Sequence, residues 1–410
     1  MALLLVLFHP AASFLNTNKW ARRASKTWLL TSSSNSPVLG INDVKLPSGS
    51  EILSIDMPRV IPPGDEKDEW LMWFHARDGS IPKDIAQETT GRILFASSKD
   101  GIKDWKFHED SPVMGPHKED GNWFYFDSEH VGLGDVIKPG MVAQSKFATQ
   151  NGMFLMYIFG GRNDVTTLSS GESVKGYKME IGVAVSQDGA HWSRVEGPNP
   201  YGSILEPSAG NFDSQFVGWP SVVEDFESAA AEERGRGEYR MYYHTFDSRS
   251  NKYCVALAVA RDGLMNWKKQ GVVWSGGGAG GGATWDAMGA TRRHVLKLSK
   301  SRGGGYKMWY EAISATGVPS IGLASSPDGV SWSRCGDKPV LEGGGGGKGS
   351  WDEGGVGSPH LVWLEDKKRW RMYYSGFAAS GAGGGNGGVP ICSLGVAESL
   401  DEEGLEFKRL

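Results

Sequence analysis

Residues 306–334 read YKMWYEAISATGVPSIGLASSPDGVSWSR. Lys307-Met308-Trp309-Tyr310 is aromatic and alternating, the pattern of a half-buried or buried strand. Ile321–Ser325 reads as a second strand. Asp328-Gly329 then gives a strong short-range hairpin signal, and Trp332 opens a third strand.

The same run occurs four more times. Its first part recurs as Leu71-Met72-Trp73-Phe74, Leu155-Met156-Tyr157-Ile158, Arg240-Met241-Tyr242-Tyr243 and Arg371-Met372-Tyr373-Tyr374. Its second part recurs as Ile93–Ser97, Ile181–Ser186, Val255–Ala260 and Leu394–Glu398. The turns recur as Asp100-Gly101, Asp188-Gly189 and Asp262-Gly263, followed by Trp105, Trp192 and Trp267. Only the last copy is degenerate, with Asp401 and Phe407 in these places.

A further strand precedes each run. Phe126-Asp127, Phe212-Asp213, Trp285-Asp286 and Trp351-Asp352 each lead through glycine into a short apolar stretch, with Ser50-Glu51 in the first copy. The stretches are Arg59–Ile61, Asp135–Ile137, Ser221–Val223, Arg293–Leu296 and His360–Trp363. Four strands repeated radially predict an all-β fold, a five-bladed β-propeller with four antiparallel strands per blade, over residues 37–410. Pro37-Val38-Leu39 matches Pro339-Val340-Leu341. The N-terminal segment is therefore expected to supply the outer strand of the last blade and close the ring.

Residues 1–36 read as a targeting presequence. Ala2–Phe8 is apolar, Lys19, Arg22, Arg23 and Lys26 follow among serines, and the first acidic residue is Asp43. An apolar segment followed by a basic, acid-free one resembles a plastid presequence; mitochondrial, secreted and uncleaved readings stay open. Net charge is −5, which leaves no basic footprint for nucleic acid and no attraction to anionic membranes. The three cysteines form no CxxC pair, so reduced thiols are expected. Glycine tracts at 276–278, 280–282, 343–347 and 383–388 lie between strands and read as insertions. A monomer is expected, without cofactor or metal.

The Trp-Asp, Met-aromatic and Asp-Gly motifs in this order resemble the five-bladed glycoside hydrolases of the arabinanase, levansucrase and invertase superfamily (family 43/32-like), over nearly all of residues 37–410. The resemblance implies a carbohydrate substrate bound in the funnel where the first strands meet. It implies a base or nucleophile on the first blade, and Asp56 in Asp56-Met57-Pro58 matches that position. The second-blade acid has no match in Leu133-Gly134, and Asp135 follows one residue on. The resemblance also implies a Glu on the third blade as general acid, just before Pro220; it is missing, and the chain reads Gly218-Trp219-Pro220.

A residue that builds the repeat recurs in every copy; one that serves a site breaks it. By alignment Asp56 stands where the other copies have Gly132, Gly218, Gly289 and Gly357. After the second-strand aromatics the copies read His75, Phe159, His244, Glu311 and Ser375. Glycoside hydrolysis needs one carboxylic acid and one carboxylate flanking the scissile bond. The candidate catalytic residues are therefore Asp56, Glu311 and Asp135. Candidate substrate-binding residues are Arg59, His75, Arg162, Trp219, His244, Arg292 and His360. By the same rule Asp127, Asp213, Asp286 and Asp352 are scaffold. The competing reading is a catalytically silent propeller that binds a glycan or a protein.

Overall fold

The structure is a computed structural model that describes residues 36–64, 68–82, 84–86, 88–138, 152–167, 171, 173–225, 237–277, 285–347, 349–379 and 389–410. The presequence and the glycine tracts at 280–282 and 383–388 lie outside these residues.

The described chain is all-β, with five four-stranded antiparallel units and only short 3-10 turns besides. The first unit pairs β1 (Ile52–Ile61), β2 (Trp70–Asp78), β3 (Arg92–Ser98) and β4 (Lys106–Phe107) in chain order. The second pairs β5 (His130–Ile137), β6 (Phe154–Gly161), β9 (Glu180–Ser186) and β10 (Ser193–Val195). Between its second and third strands, β7 (Val165–Thr167) and β8 (Ser173–Lys175) pair with each other. The third unit holds β11 (Gly218–Asp225), β12 (Glu238–Asp247), β13 (Lys252–Ala260) and β14 (Lys268–Trp274). The fourth holds β15 (Gly289–Lys297), β16 (Tyr306–Ile313), β17 (Pro319–Ser326) and β18 (Ser333–Arg334). The fifth holds β19 (Gly355–Leu364), β20 (Arg369–Phe377), β21 (Cys392–Ser399) and β22 (Phe407–Arg409). A single bridge, Tyr253 to Gly289, joins the third and fourth sheets.

The second strands are buried on both faces, because each sheet is covered by its neighbours. That is why they read as continuous apolar and aromatic runs. The first strands begin earlier than their apolar stretches, since each carries a register shift in mid-course. In three units the shifted residue is a non-glycine at positive φ followed by proline: Met57 (φ 62), Trp219 (φ 47) and Ser358 (φ 49). Such backbone is costly for a side chain and persists only where the surroundings impose it.

Bonds between units follow one rule. The second-strand aromatic of each unit donates to a turn glycine carbonyl of the next. Trp73 reaches Gly189 at 2.8 Å, Tyr157 reaches Gly263 at 2.8 Å, Tyr242 reaches Gly329 at 2.9 Å, Trp309 reaches Gly404 at 3.2 Å, and Tyr373 returns to Gly101 at 2.8 Å. The turn aspartates Asp100, Asp188, Asp262 and Asp328 each accept two backbone N–H groups within their own turns.

The Trp-Asp aspartates are scaffold of another kind. Each meets a basic residue on the outer strand of its own unit: Asp127 with Arg194, Asp213 with Lys269, Asp286 with Arg334 and Asp352 with Arg409. A buried carboxylate needs such a partner. The N-terminal segment takes part of the expected place. Leu394 N–H donates to Leu39 at 2.9 Å, as Ile321 pairs with Leu341, while β22 fills the remainder of that edge. All three cysteines are free thiols. Among the described residues no helix is long and apolar enough to cross a membrane.

Candidate active site

The first strands place polar side chains in two layers. The register shift separates them.

The outer layer centres on Arg292. Its Nη1 lies 2.9 Å from Glu311 Oε1, its Nη2 3.5 Å from Glu88 Oε2, and its Nε 3.7 Å from Asp56 Oδ2. Three buried carboxylates from three chain regions thus surround one guanidinium, and their own surroundings differ.

Asp56 is wholly buried. Its Oδ1 accepts Met57 N–H at 2.6 Å and the Ser375 hydroxyl; its Oδ2 accepts the Thr89 hydroxyl at 3.0 Å. Burial works to raise its pKa, but Arg292, the nearby His75 ring and the Ser375 hydroxyl hold it far below the usual carboxylate range. Asp56 is therefore ionised at any working pH.

Glu311 accepts the Thr291 hydroxyl at 2.7 Å and Arg292 on Oε1, and Ser358 N–H at 3.1 Å on Oε2. Burial raises its pKa and Arg292 opposes that. All its partners are donors, which suits the carboxylate form.

Glu88 differs from both. No described group donates a hydrogen bond to its carboxyl, and it is 6% exposed. Burial pushes its pKa up to about 7, with Arg292 pulling down and Asp56 pushing further up.

His75 is fixed as a tautomer by its neighbours. Leu133 N–H donates to its Nδ1 at 3.1 Å, so its Nε2 carries the proton and meets Thr89 Oγ1 at 2.9 Å. Burial lowers its pKa, leaving it neutral. His244 is also neutral, held well below its ordinary pKa by burial and then by Arg293. Its ring stacks on Trp219 at 4.6 Å, with Phe159 at 4.3 Å and the Arg292 guanidinium at 5.2 Å also against the indole. Arg162 is engaged by Asp164 at 2.5 Å and lies over Tyr201; no described hydrogen bond or ion pair joins it to the Arg292 group.

The inner layer holds Arg59, Asp135, Ser221, His294 and His360, each bonded to backbone of a neighbouring unit. Arg59 Nε donates to Gly134 O at 2.8 Å, and Asp135 accepts Val222 N–H at 2.8 Å. Ser221 accepts Val295 N–H at 3.2 Å, and His294 accepts Leu361 N–H at 2.9 Å. His360 Nε2 donates to Val60 O at 2.8 Å. Asp135, His294 and His360 lie close enough to suggest a metal site. His294 has already spent its single lone pair on Leu361, and Asp135 accepts backbone N–H groups on both oxygens. These donors suit a structural junction better than a cation. Asp135 and His360 thus sit a layer away from Asp56 and Glu311.

Glu88, Thr89, Thr291 and Ser375 were not legible as site residues. The register corrects one alignment: Gly289 pairs with Ile313 and Ala290 with Ala312, so Thr291, not Gly289, stands opposite Glu311. Ser375, the unremarkable member of its series, is what admits Asp56. In the fifth unit the corresponding position, Gly357, abuts Glu311, and a Cβ there would overlap Oε2. Gly357→Ala is expected to cost about 1–3 kcal/mol in urea unfolding, as overpacking does. Gly218→Ala, whose Cβ would meet Phe159 at 3.5 Å, is the near-neutral control.

No protein-family profile matches the sequence, and no curated protein matches it. Solved structures do match in fold. An N-acetylgalactosamine deacetylase from F. plautii, in complex with blood group B trisaccharide, aligns with TM-score 0.58 at 15% identity, over 91% of this chain and 97% of that one. A GH130 structure, from a family of mannoside phosphorylases containing hydrolases of β-1,2 mannosidic linkages in Candida mannan, aligns with TM-score 0.55 at 14% identity, over 93% and 96%. A thermostable family-43 glycoside hydrolase aligns with TM-score 0.52 at 15% identity, over 87% and 92%. At such identity the likeness carries the fold alone. These relatives in fold include a deacetylase, so the reaction has to be argued from the site.

Proposed function

We propose that this protein is a five-bladed β-propeller glycoside hydrolase that cleaves small, uncharged glycans at the Arg292 layer. The propeller reading rests on the tyrosine and tryptophan bonds that run from unit to unit and return from Tyr373 to Gly101. The observation that carries the function is the group of carboxyls in unlike environments around Arg292. Asp56 is kept ionised and another carboxyl is kept protonated near neutrality, the division of labour that glycoside hydrolysis requires. A silent binding module has no use for three buried acids on one cation, since desolvating them is expensive.

In this reading Asp56 is the nucleophile or the base that activates water, and Glu311 positions Arg292. Phosphorolysis is disfavoured, because inorganic phosphate would have to take Arg292 from the Asp56 and Glu311 carboxylates. The two ionised carboxyls also set substrate preference. With His75 and His244 neutral, Asp56 and Glu311 outnumber the Arg292 they contact, and a uronide carboxylate placed against them would meet repulsion. Neutral aryl glycosides are expected to exceed the matching uronides at least tenfold in kcat/KM, a difference of about 1.4 kcal/mol; equal rates would refute this charge argument.

The test is a hydrolysis screen of residues 37–410 against arabinan, sucrose, fructans and aryl glycosides, with Asp56→Asn as control. Turnover that the variant loses supports the reading. A folded wild-type protein that turns over none of them, yet binds glycans in the same panel, would establish the silent-propeller alternative.

A further inference from the structure

The third unit reads Gly218-Trp219 before Pro220, where the resemblance to family-43/32 enzymes implies a proton donor, and both Glu311 oxygens are occupied by donors. The acid must then come from elsewhere in the chain. Glu88 lies outside the repeat, in the connection that leads into β3, and the described residues of that connection are held by a network of bonds.

Arg77, at the end of β2, is buried and turns its guanidinium on this connection. It donates to the carbonyls of Ala86 at 2.8 Å, Pro82 at 3.1 Å, Glu88 at 3.4 Å and Thr90 at 3.5 Å. Thr89 is tied to Asp56 and His75 by its hydroxyl. Thr90 donates to His130 Nδ1 at 2.9 Å, and His130 Nε2 is anchored on Gly176 O at 2.9 Å. Ala86 N–H bonds Lys175 O at 2.8 Å, and Gly91 N–H bonds Val131 O at 3.0 Å. Ala86, Thr89 and Thr90 are therefore fixed through backbone and side chain, while no described group donates a hydrogen bond to the Glu88 carboxyl, which meets Arg292 at 3.5 Å.

The geometry assigns Glu88 as the proton donor to the leaving group, and Arg77 as the residue that positions it. Asp56 and Glu88 approach two nitrogens, Nε and Nη2, of the same guanidinium, at 3.7 and 3.5 Å, so Arg292 brings the two acids to one side chain. This inference rests on the glycosidase reading. As the glycosidic C1–O bond breaks, its electron pair goes to the oxygen and Glu88 supplies the proton there. Either Asp56 bonds to C1 and water later displaces it, Glu88 taking the water's proton, or Asp56 takes a proton from a water that bonds to C1. One water is consumed in each case; the first route returns both carboxyls to their starting states, and in the second Asp56 ends protonated and Glu88 ionised, so a proton passes from Asp56 to Glu88 through solvent before the next turnover. Burial and the Asp56 charge, which keep Glu88 protonated up to about pH 7, suit the role.

The experiment uses Glu88→Gln and two aryl glycosides of whichever sugar the wild type cleaves. The phenyl glycoside needs its leaving oxygen protonated; the dinitrophenyl glycoside does not. Glu88→Gln is expected to lower kcat/KM about 10²–10⁴-fold on the first and less than about tenfold on the second. The wild-type rate is expected to fall as pH rises through about 7, where Glu88 ionises, and the variant is expected to lose that limb. Arg77→Met should reproduce the leaving-group dependence in milder form. Equal losses on both substrates, or an unchanged alkaline limb, would overturn the assignment while leaving the glycosidase reading in place. A wild type without turnover removes both together.

Discussion

Asp56→Asn is expected to abolish measurable turnover without weakening the fold. On the proposed mechanism Asp56 supplies either the bond to C1 or the base for water, and an amide does neither. Losses of about 10⁴-fold or more in kcat are usual when a residue in that role is removed. The fold should tolerate the change for a local reason. The Asn amide oxygen can still accept Met57 N–H and the Ser375 hydroxyl, and Thr89 can rotate its hydroxyl to accept from the amide nitrogen. Removing the charge also relieves repulsion with Glu88 and Glu311, so thermal stability is expected to hold or rise. Glu88 should then titrate lower than in the wild type, because the Asp56 charge that raises its pKa is gone. Turnover within tenfold of wild type would move the chemistry away from Asp56. A collapsed fold would show that this carboxylate is mainly a structural partner of Ser375 and Thr89.

Arg292→Met should give the largest loss of stability. The substitution keeps an unbranched stem and leaves Asp56, Glu88 and Glu311 without their shared cation. Stripping a buried charge of its partner costs about 3–5 kcal/mol. The sign of the pH dependence follows from the carboxyls. Without Arg292 their folded pKa values rise above the unfolded ones, so each acid is tolerated when protonated and costly when ionised. The deficit against wild type is therefore expected to be largest at neutral and alkaline pH, and to shrink as pH falls towards the ordinary carboxylate range. Paired melting curves at about pH 5 and pH 8 would measure it. Arg292→Lys should restore only part of the loss, because one ammonium cannot face three carboxylates as a planar fork does. A deficit that does not change with pH would mean that the three acids are not held by Arg292 in the way their distances suggest.

Some of this was legible in the sequence and some was not. Strand order and the second-strand aromatics recur five times and the Asp-Gly turns four times, and all are local, so the sequence alone determined the four-strand unit and singled out Asp56 as a departure from glycine. The rule that a functional residue breaks the repeat also marked Arg59, Asp135 and His360. Their departures have another cause. Each junction between units satisfies one neighbouring backbone group, and arginine, aspartate, serine and histidine are different solutions to that single requirement. Sequence cannot separate those solutions from catalytic groups, because both break the pattern with a polar residue. Ser375 reversed the problem: it looked ordinary, yet its small side chain makes the room and supplies the hydroxyl that Asp56 needs. Glu88 lay outside any repeat, in a connection whose position is set by Arg77 and by contacts with the next unit. Only the tertiary structure could bring it to Arg292, since the three carboxylates come from positions 56, 88 and 311 and meet through long-range packing that no local periodicity encodes.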